Sequence, residues 1–149
     1  MFYSVDNTQD SDGDGIPNAW ESAHGLNPNV ADADTDLDKD GIKALMEFAL
    51  GLNPQTPSLV GLPSYSIGNA AGAVAAPNEA GFLTFQVVKN PAAAALEFRV
   101  EVSSNLMSWL YGPDHVTVLQ DTTTSLKVRD NAAASPGGPR FIRLEVIVP

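Results

Sequence analysis

Cysteine is missing from this 149-residue chain, which excludes disulfides, thiolate metal ligands and cysteine nucleophiles together. Basic residues are scarce, 8 Lys and Arg against 18 acids, giving a formal net charge of -10. A surplus of that sign repels nucleic acid and anionic membrane and attracts cations. No run of 18 apolar residues exists, so no membrane-inserted segment is expected. The first residues carry neither a basic stretch nor an apolar one; an export signal, if the protein is exported, is expected outside this fragment. Only His24 and His115 offer imidazoles. No G-x-S-x-G, H-E-x-x-H, P-loop or dinucleotide fingerprint occurs, so no catalytic residue is assigned and an enzyme is not expected.

The charge that is present is unevenly placed. Residues 1–57 hold eleven acids and only two bases, Lys39 and Lys43, whereas residues 58–149 are nearly balanced. Such asymmetry points to two regions with different tasks. The acidic region is also a repeat. Residues 10–28, DSDGDGIPNAWESAHGLNP, and residues 36–54, DLDKDGIKALMEFALGLNP, are identical at eleven of nineteen positions, at an offset of 26.

The kept positions have one chemical reading. Asp10, Asp12 and Asp14, like Asp36, Asp38 and Asp40, occupy positions 1, 3 and 5 of a loop. Gly15 and Gly41 stand at position 6, Ile16 and Ile42 at position 7, and Glu21 and Glu47 at position 12. This is the D-x-[DN]-x-[DN]-G-x5-E pattern of an EF-hand calcium loop, in which position 7 offers a backbone carbonyl and position 12 a bidentate carboxylate. Asn18 at position 9 is a further candidate ligand; Ala44 in the second copy is not, so water, Asp32 or Asp34 is expected to complete that site. Two Ca2+ ions are expected, with a third if Asp32 and Asp34 form a site of their own. A register beginning at Asp34 fails, because it puts Lys39 at position 6 and Leu45 at position 12. A short helix is expected after each loop, stopped by Gly25 and Gly51. Ile16, Trp20 and Ala23 are expected to share one face, and Ile42, Leu45, Met46 and Ala49 another. His24 falls at a helix C-terminus, where positive charge is favoured. Residues 1–9 read as an extended arm and not as an entering helix.

These loops, DSDGDGIPNAWE and DTDLDKDGIKALME, resemble bacterial thrombospondin type 3 repeats and are similar to dockerin loops. The resemblance covers residues 8–57. It implies a secreted or cell-surface protein whose acidic chain is organised by calcium, with the ligands named above. Dockerins close their loops with Asp and carry small hydroxyl residues on the exiting helix; Glu21 and Glu47 close these loops, and Ala19, Trp20, Leu45 and Met46 are expected to be buried.

Residues 58–63 read as a linker. Beyond them the pattern changes to alternation, as in residues 96–102 and 142–148, with shorter candidate strands at 82–88, 116–120, 125–129 and 64–67. Breakers at 90–91, 112–113 and 135–139 separate them. Residues 68–81 read as a long loop and 92–95 as a connector. The fold expected is mainly β with a small α segment: tandem EF-hand-like loop–helix repeats (8–28 and 34–54), then an antiparallel β-sandwich over 64–149 that resembles fibronectin type III modules in pattern. Trp109 and Tyr111 are either exposed rings able to stack on a sugar or, for Trp109, a plug at the end of the core. Arg99, Glu101, Lys127, Arg129, Arg143 and Glu145 are expected to form cross-strand pairs.

The function expected is a non-catalytic, calcium-binding structural or accessory module, a spacer plus terminal sandwich, with neighbouring domains of a larger parent protein as partners. The alternative is a carbohydrate-binding or dockerin-like protein-binding module, with a polysaccharide or another surface protein as partner and adhesion as its role.

Overall fold

A computed structural model describes residues 8–75, 80–134 and 138–149. Most of the expected N-terminal arm, residues 76–79 of the small-residue loop and residues 135–137 of the last breaker lie outside the described residues. Among the described residues the chain is mainly β, with two short helices, α1 (Asn18–His24) and α2 (Ala44–Leu50). Six strands follow among the described residues: β1 (Ser64–Gly68), β2 (Phe82–Val88), β3 (Glu97–Ser103), β4 (Val116–Asp121), β5 (Ser125–Ala133) and β6 (Phe141–Ile147). Among the described residues no helix is long and apolar enough to cross a membrane.

Alternation in the sequence sets which side chains face inward, and the pairing then forms two antiparallel sheets. One has the order β1-β2-β5-β4, the other is the ribbon β3-β6. Phe85 and Val87 of β2, Val116 of β4, and Leu126 and Val128 of β5 meet Val100 and Val102 of β3 in one buried cluster. Each such side chain contributes about 1.5–3 kcal/mol on burial. Within the stretch where a breaker at 90–91 and a connector at 92–95 are expected, Pro91–Ala93 form a single 3-10 turn capped by the Asn90 side chain, which accepts from the Ala92 N–H at 3.0 Å.

The loop–helix repeats pack directly on the sheets. Leu50 belongs to the inter-sheet cluster, and Met46 and Leu52 lie against it. Ile16, Leu26, Ala44, Phe48 and Ala49 form a second cluster together with Ala93 and Leu96, flanked by Phe98 and Val146 of the ribbon. Asn90 seals this junction. Its N–H donates to Ala49 O at 2.8 Å and its Nδ2 to Phe48 O at 2.9 Å, satisfying carbonyls at the end of α2. The expected spacer is therefore built into the body of the fold, although residues 58–63 are open to solvent at Leu59 and Val60.

Helix faces agree in part with expectation. Ile16 and Ala49 are buried, but Ala23 and Ala19 are exposed, while Trp20, Leu45 and Met46 are half-buried. Trp20 lies across α1, stacked on His24 at 4.1 Å and edge-on to Phe48 at 5.4 Å. That arrangement leaves the small alanines facing water. His24 sits at the end of α1 as expected, with Nδ1 donating to Trp20 O at 2.7 Å.

One ion pair ties the large sheet to the approach of β6. Asp130 is fully buried; Arg140 meets it through Nε at 2.6 Å and Nη2 at 2.8 Å, and the Ala132 N–H adds a third bond at 2.8 Å. Removing the cation would leave an uncompensated buried carboxylate. Arg140→Met is expected to lower unfolding free energy by about 3–5 kcal/mol in urea denaturation; a loss under about 1 kcal/mol would show that Asp130 is rescued by solvent.

Candidate metal centre

Each acidic loop is wound around its first aspartate. Asp10 Oδ1 accepts from the Gly13 N–H at 2.8 Å and Oδ2 from the Gly15 N–H at 2.9 Å. Asp36 does the same with Lys39 at 2.8 Å and Gly41 at 3.0 Å. Asp12 and Asp38 each accept from the N–H two residues on, as do Asp14 and Asp40 from Ile16 and Ile42. These short Asx-type bonds hold the three carboxylates of each loop on one side of a tight turn. The backbone repeats as closely as the sequence does. Gly15 and Gly41 have φ of 94° and 93°, Gly25 and Gly51 close the helices in left-handed geometry, and Leu26 and Leu52 donate to the carbonyls of Glu21 and Glu47 at 2.9 and 2.8 Å.

In each copy the helix then brings its glutamate beneath the aspartates. Glu21 and Glu47 have no exposed surface, and among the described residues none of their four carboxylate oxygens has a hydrogen-bond partner. Asp12 Oδ2 and Asp38 Oδ2 are likewise buried and unpaired. Burial, reinforced by Asp12, Asp14 and Asp32, pushes the Glu21 carboxyl up to about 7. Burial, with Asp38, Asp40 and Asp36, does the same to Glu47. Asp12 is also raised, first by burial and then by its neighbours Asp14 and Asp10. Buried carboxylates without donors are costly unless a cation meets them.

Oxygens of Asp10, Asp12 and Asp14 lie within 4.8 Å of one another, as do those of Asp36, Asp38 and Asp40. An all-carboxylate set of this kind suits a hard divalent cation. A third grouping joins Asp14, Glu21 and Asp32. This corrects two sequence expectations. Asp32 belongs with the first loop and not with the second, because the turn after α1 returns the chain so that the N–H groups of Asp32 and Ala33 both donate to Asp14 Oδ2, at 3.0 and 2.9 Å. Asp34 does not join Asp32 in a separate site; its carboxylate is exposed and pairs with Lys43 at 2.6 Å.

Asn18 is tied to the first loop through Ser11. Its Oδ1 accepts from the Ser11 N–H at 2.9 Å and its Nδ2 donates to Ser11 Oγ at 2.7 Å. The amide thus clasps the loop it was expected to complete, a use that Ser11 alone signals and spacing does not. Ile16 is fully buried and Ile42 half-buried, each held by its N–H to the aspartate two residues before.

The aromatic candidates lie elsewhere. Trp109 is half-buried beneath the Arg143 guanidinium, 4.2 Å from its ring centre, and the exposed Tyr111 lies against Arg99 at 4.5 Å. Trp109 does not plug the core. A bridge between Leu110 and Val102 lays its segment along β3, leaving the two flanking rings beside the arginines of the ribbon. Arg143 pairs with Glu101 at 2.6 Å and Arg99 with Glu145 at 3.8 Å, as cross-strand pairing predicts. Lys127 and Arg129 instead donate to the carbonyls of Gly72 and Ala70 in the loop after β1.

The two copies differ where they meet the rest of the chain. A methyl group on Gly15 would come within 2.5 Å of Val148 and 3.2 Å of Leu96, whereas one on Gly41 would meet nothing. Both substitutions carry the left-handed strain of about 1–2 kcal/mol. Gly15→Ala is expected to cost about 1–3 kcal/mol more than Gly41→Ala in thermal denaturation, through overpacking; equal losses would place Val148 away from the loop. Lys39, at φ 65°, stands where the first copy has Gly13, so Lys39→Gly is expected to stabilise by about 1 kcal/mol, read in the same melt.

No family model, curated protein or solved structure matches the chain, so the functional reading rests on the geometry of these two carboxylate clusters.

Proposed function

We propose that the chain is a non-catalytic calcium-binding module of a secreted or cell-surface bacterial protein, in which two Ca2+ ions hold the acidic repeats in their folded form. The observation that carries this reading is the pair Glu21 and Glu47, each buried completely with both carboxylate oxygens unpartnered, each beside three aspartates. Oxygen ligands from positions 1, 3, 5 and 12, with the carbonyls of Ile16 and Ile42 and water, suit the seven-fold, flexible coordination of calcium better than the strict octahedron of magnesium. The setting is argued from the likeness of the loops to bacterial thrombospondin type 3 repeats. Extracellular calcium is plentiful, so sites of about 0.1–1 mM would be filled there.

The role is structural because of what the loops support. Helices of seven residues are too short to persist alone, and the inward faces of these two form one cluster with Ala93 and Leu96. A cation that neutralises Glu21 and Glu47 therefore stabilises the seam between the repeats and the sheets as well as the loops themselves. The module is better described as a two-sheet body with a calcium-held cap than as a body on a spacer.

Calcium titration by calorimetry on the full chain is expected to show two ions bound. Chelation is expected to reduce hydrogen-exchange protection over residues 8–57 and also over residues 91–98 and the end of β6, which share the seam. Absence of binding heat, with protection unchanged by chelator, would overturn the reading.

A further inference from the structure

The repeat makes two copies of one loop, yet the copies do not present the same charge. At the offset of 26, Asp32 corresponds to Ser58. The backbone at these positions recurs: the Asp32 N–H donates to Asp14 Oδ2 at 3.0 Å, and the Ser58 N–H donates to Asp40 Oδ2 at 2.8 Å. The side chain does not recur. Asp32 Oδ2 accepts from the Asn27 N–H at 3.1 Å, which orients the carboxylate, and its Oδ1 is buried with no partner. Oxygens of Asp32, Asp14 and Glu21 come within 4.8 Å of one another. Glu21 supplies the independent sign of a missing ligand, since it is wholly buried and unpaired at both oxygens.

We propose that Asp32 is a further ligand of the first cation site, acting through Oδ1, so that the two sites are unequal and the first fills before the second. The proposal rests on the calcium reading above and adds to it the order of occupancy. Asp10, Asp12, Asp14, Glu21 and Asp32 give the first site five carboxylate groups, whereas Asp36, Asp38, Asp40 and Glu47 give the second four, with Ser58 in the fifth place. Calcium affinity rises with the number of charged ligands and the rigidity of the site. The first site has both advantages, because Asp32 is anchored at its N–H and at Oδ2, and Asp14 Oδ2 is fixed by two backbone donors. A site with an additional carboxylate also favours a trivalent over a divalent cation of similar size.

The test is a calorimetric titration of the full chain with calcium chloride and with terbium chloride. The intact protein is expected to bind in two resolved steps. Asp32→Asn keeps an acceptor for Asn27 and removes only the charge; Asp32→Ser copies the second loop. Both are expected to weaken the tighter step by roughly tenfold or more and to leave the weaker step in place. The loss is expected to be larger for terbium than for calcium. Ser58→Asp, which adds a carboxylate instead of removing one, is expected to tighten the weaker step. Two ions bound with the tighter step unmoved in Asp32→Asn, and the weaker step unmoved in Ser58→Asp, would overturn the role of Asp32 while leaving the two-ion reading intact. An intact protein that binds neither cation would instead overturn the calcium reading itself.

Discussion

Glu21 and Glu47 impose the constraint on which the acidic third of this protein depends. Each carboxylate is buried without a single hydrogen-bond donor, and each faces aspartates whose own oxygens are partly buried. Such a group can keep its proton or meet a cation. Protonation would relieve the glutamates alone. It would leave Asp10, Asp12 and Asp14 within a few ångströms of one another, and Asp36, Asp38 and Asp40 likewise. A divalent cation relieves all four acids of a loop at once, which is why metal binding is the more economical resolution of the geometry.

The same constraint reaches the rest of the fold through packing. The glutamates lie on helices of two turns; α2 packs against β6 and the turn at residues 91–93, and α1 leans on α2 through Trp20 against Phe48. Phe48 stands one residue after Glu47 and is 2 % exposed, between Trp20 and the connection that follows β2. Displacing Glu47 would therefore displace Phe48, and with it the contact to Ala93 and Leu96. The two-sheet core has its own cluster of Phe85, Val87, Val100, Val102 and Val128 and does not rely on the loops for its interior. Its seam with the loops is the part that a cation would hold.

What could be read in advance follows from how local the determining forces are. All six strands lie where alternation and β-branched residues put them, because inward and outward facing is a property of neighbouring residues. The loops were legible for a different reason: the Asx bonds from Asp10, Asp12 and Asp14 span five residues or fewer. Which strands pair was not legible, since β2 with β5 and β3 with β6 are non-local choices. The packing of Gly15 against Val148 joins opposite ends of the chain and leaves no mark in either segment. The place of Asp32, a candidate for the second loop or for a site with Asp34 by sequence, is hidden for the same reason. Its nearest acids in sequence are Asp34 and Asp36, but the turn at residues 27–30 sends it back to Asp14.

Duplication explains the likeness of the loops and not their differences, and the differences follow position. The first copy is pressed into the body, with Gly15 against Val148, Leu96 and Leu45. There a glycine is required by space as well as by φ, and a further carboxylate is drawn in from the chain that links the copies. The second copy has open space beside Gly41, tolerates Lys39 at a positive φ, and has Ser58 where the first has Asp32. The chain after the second copy leads into β1, which pairs with β2 at the edge of the large sheet, whereas the chain after the first leads into another acidic loop. The residue that follows the first copy, Asp32, turns back to that copy, beside Asp14 and Glu21. Ser58 follows the second, and nothing in the strand beyond it calls for a carboxylate.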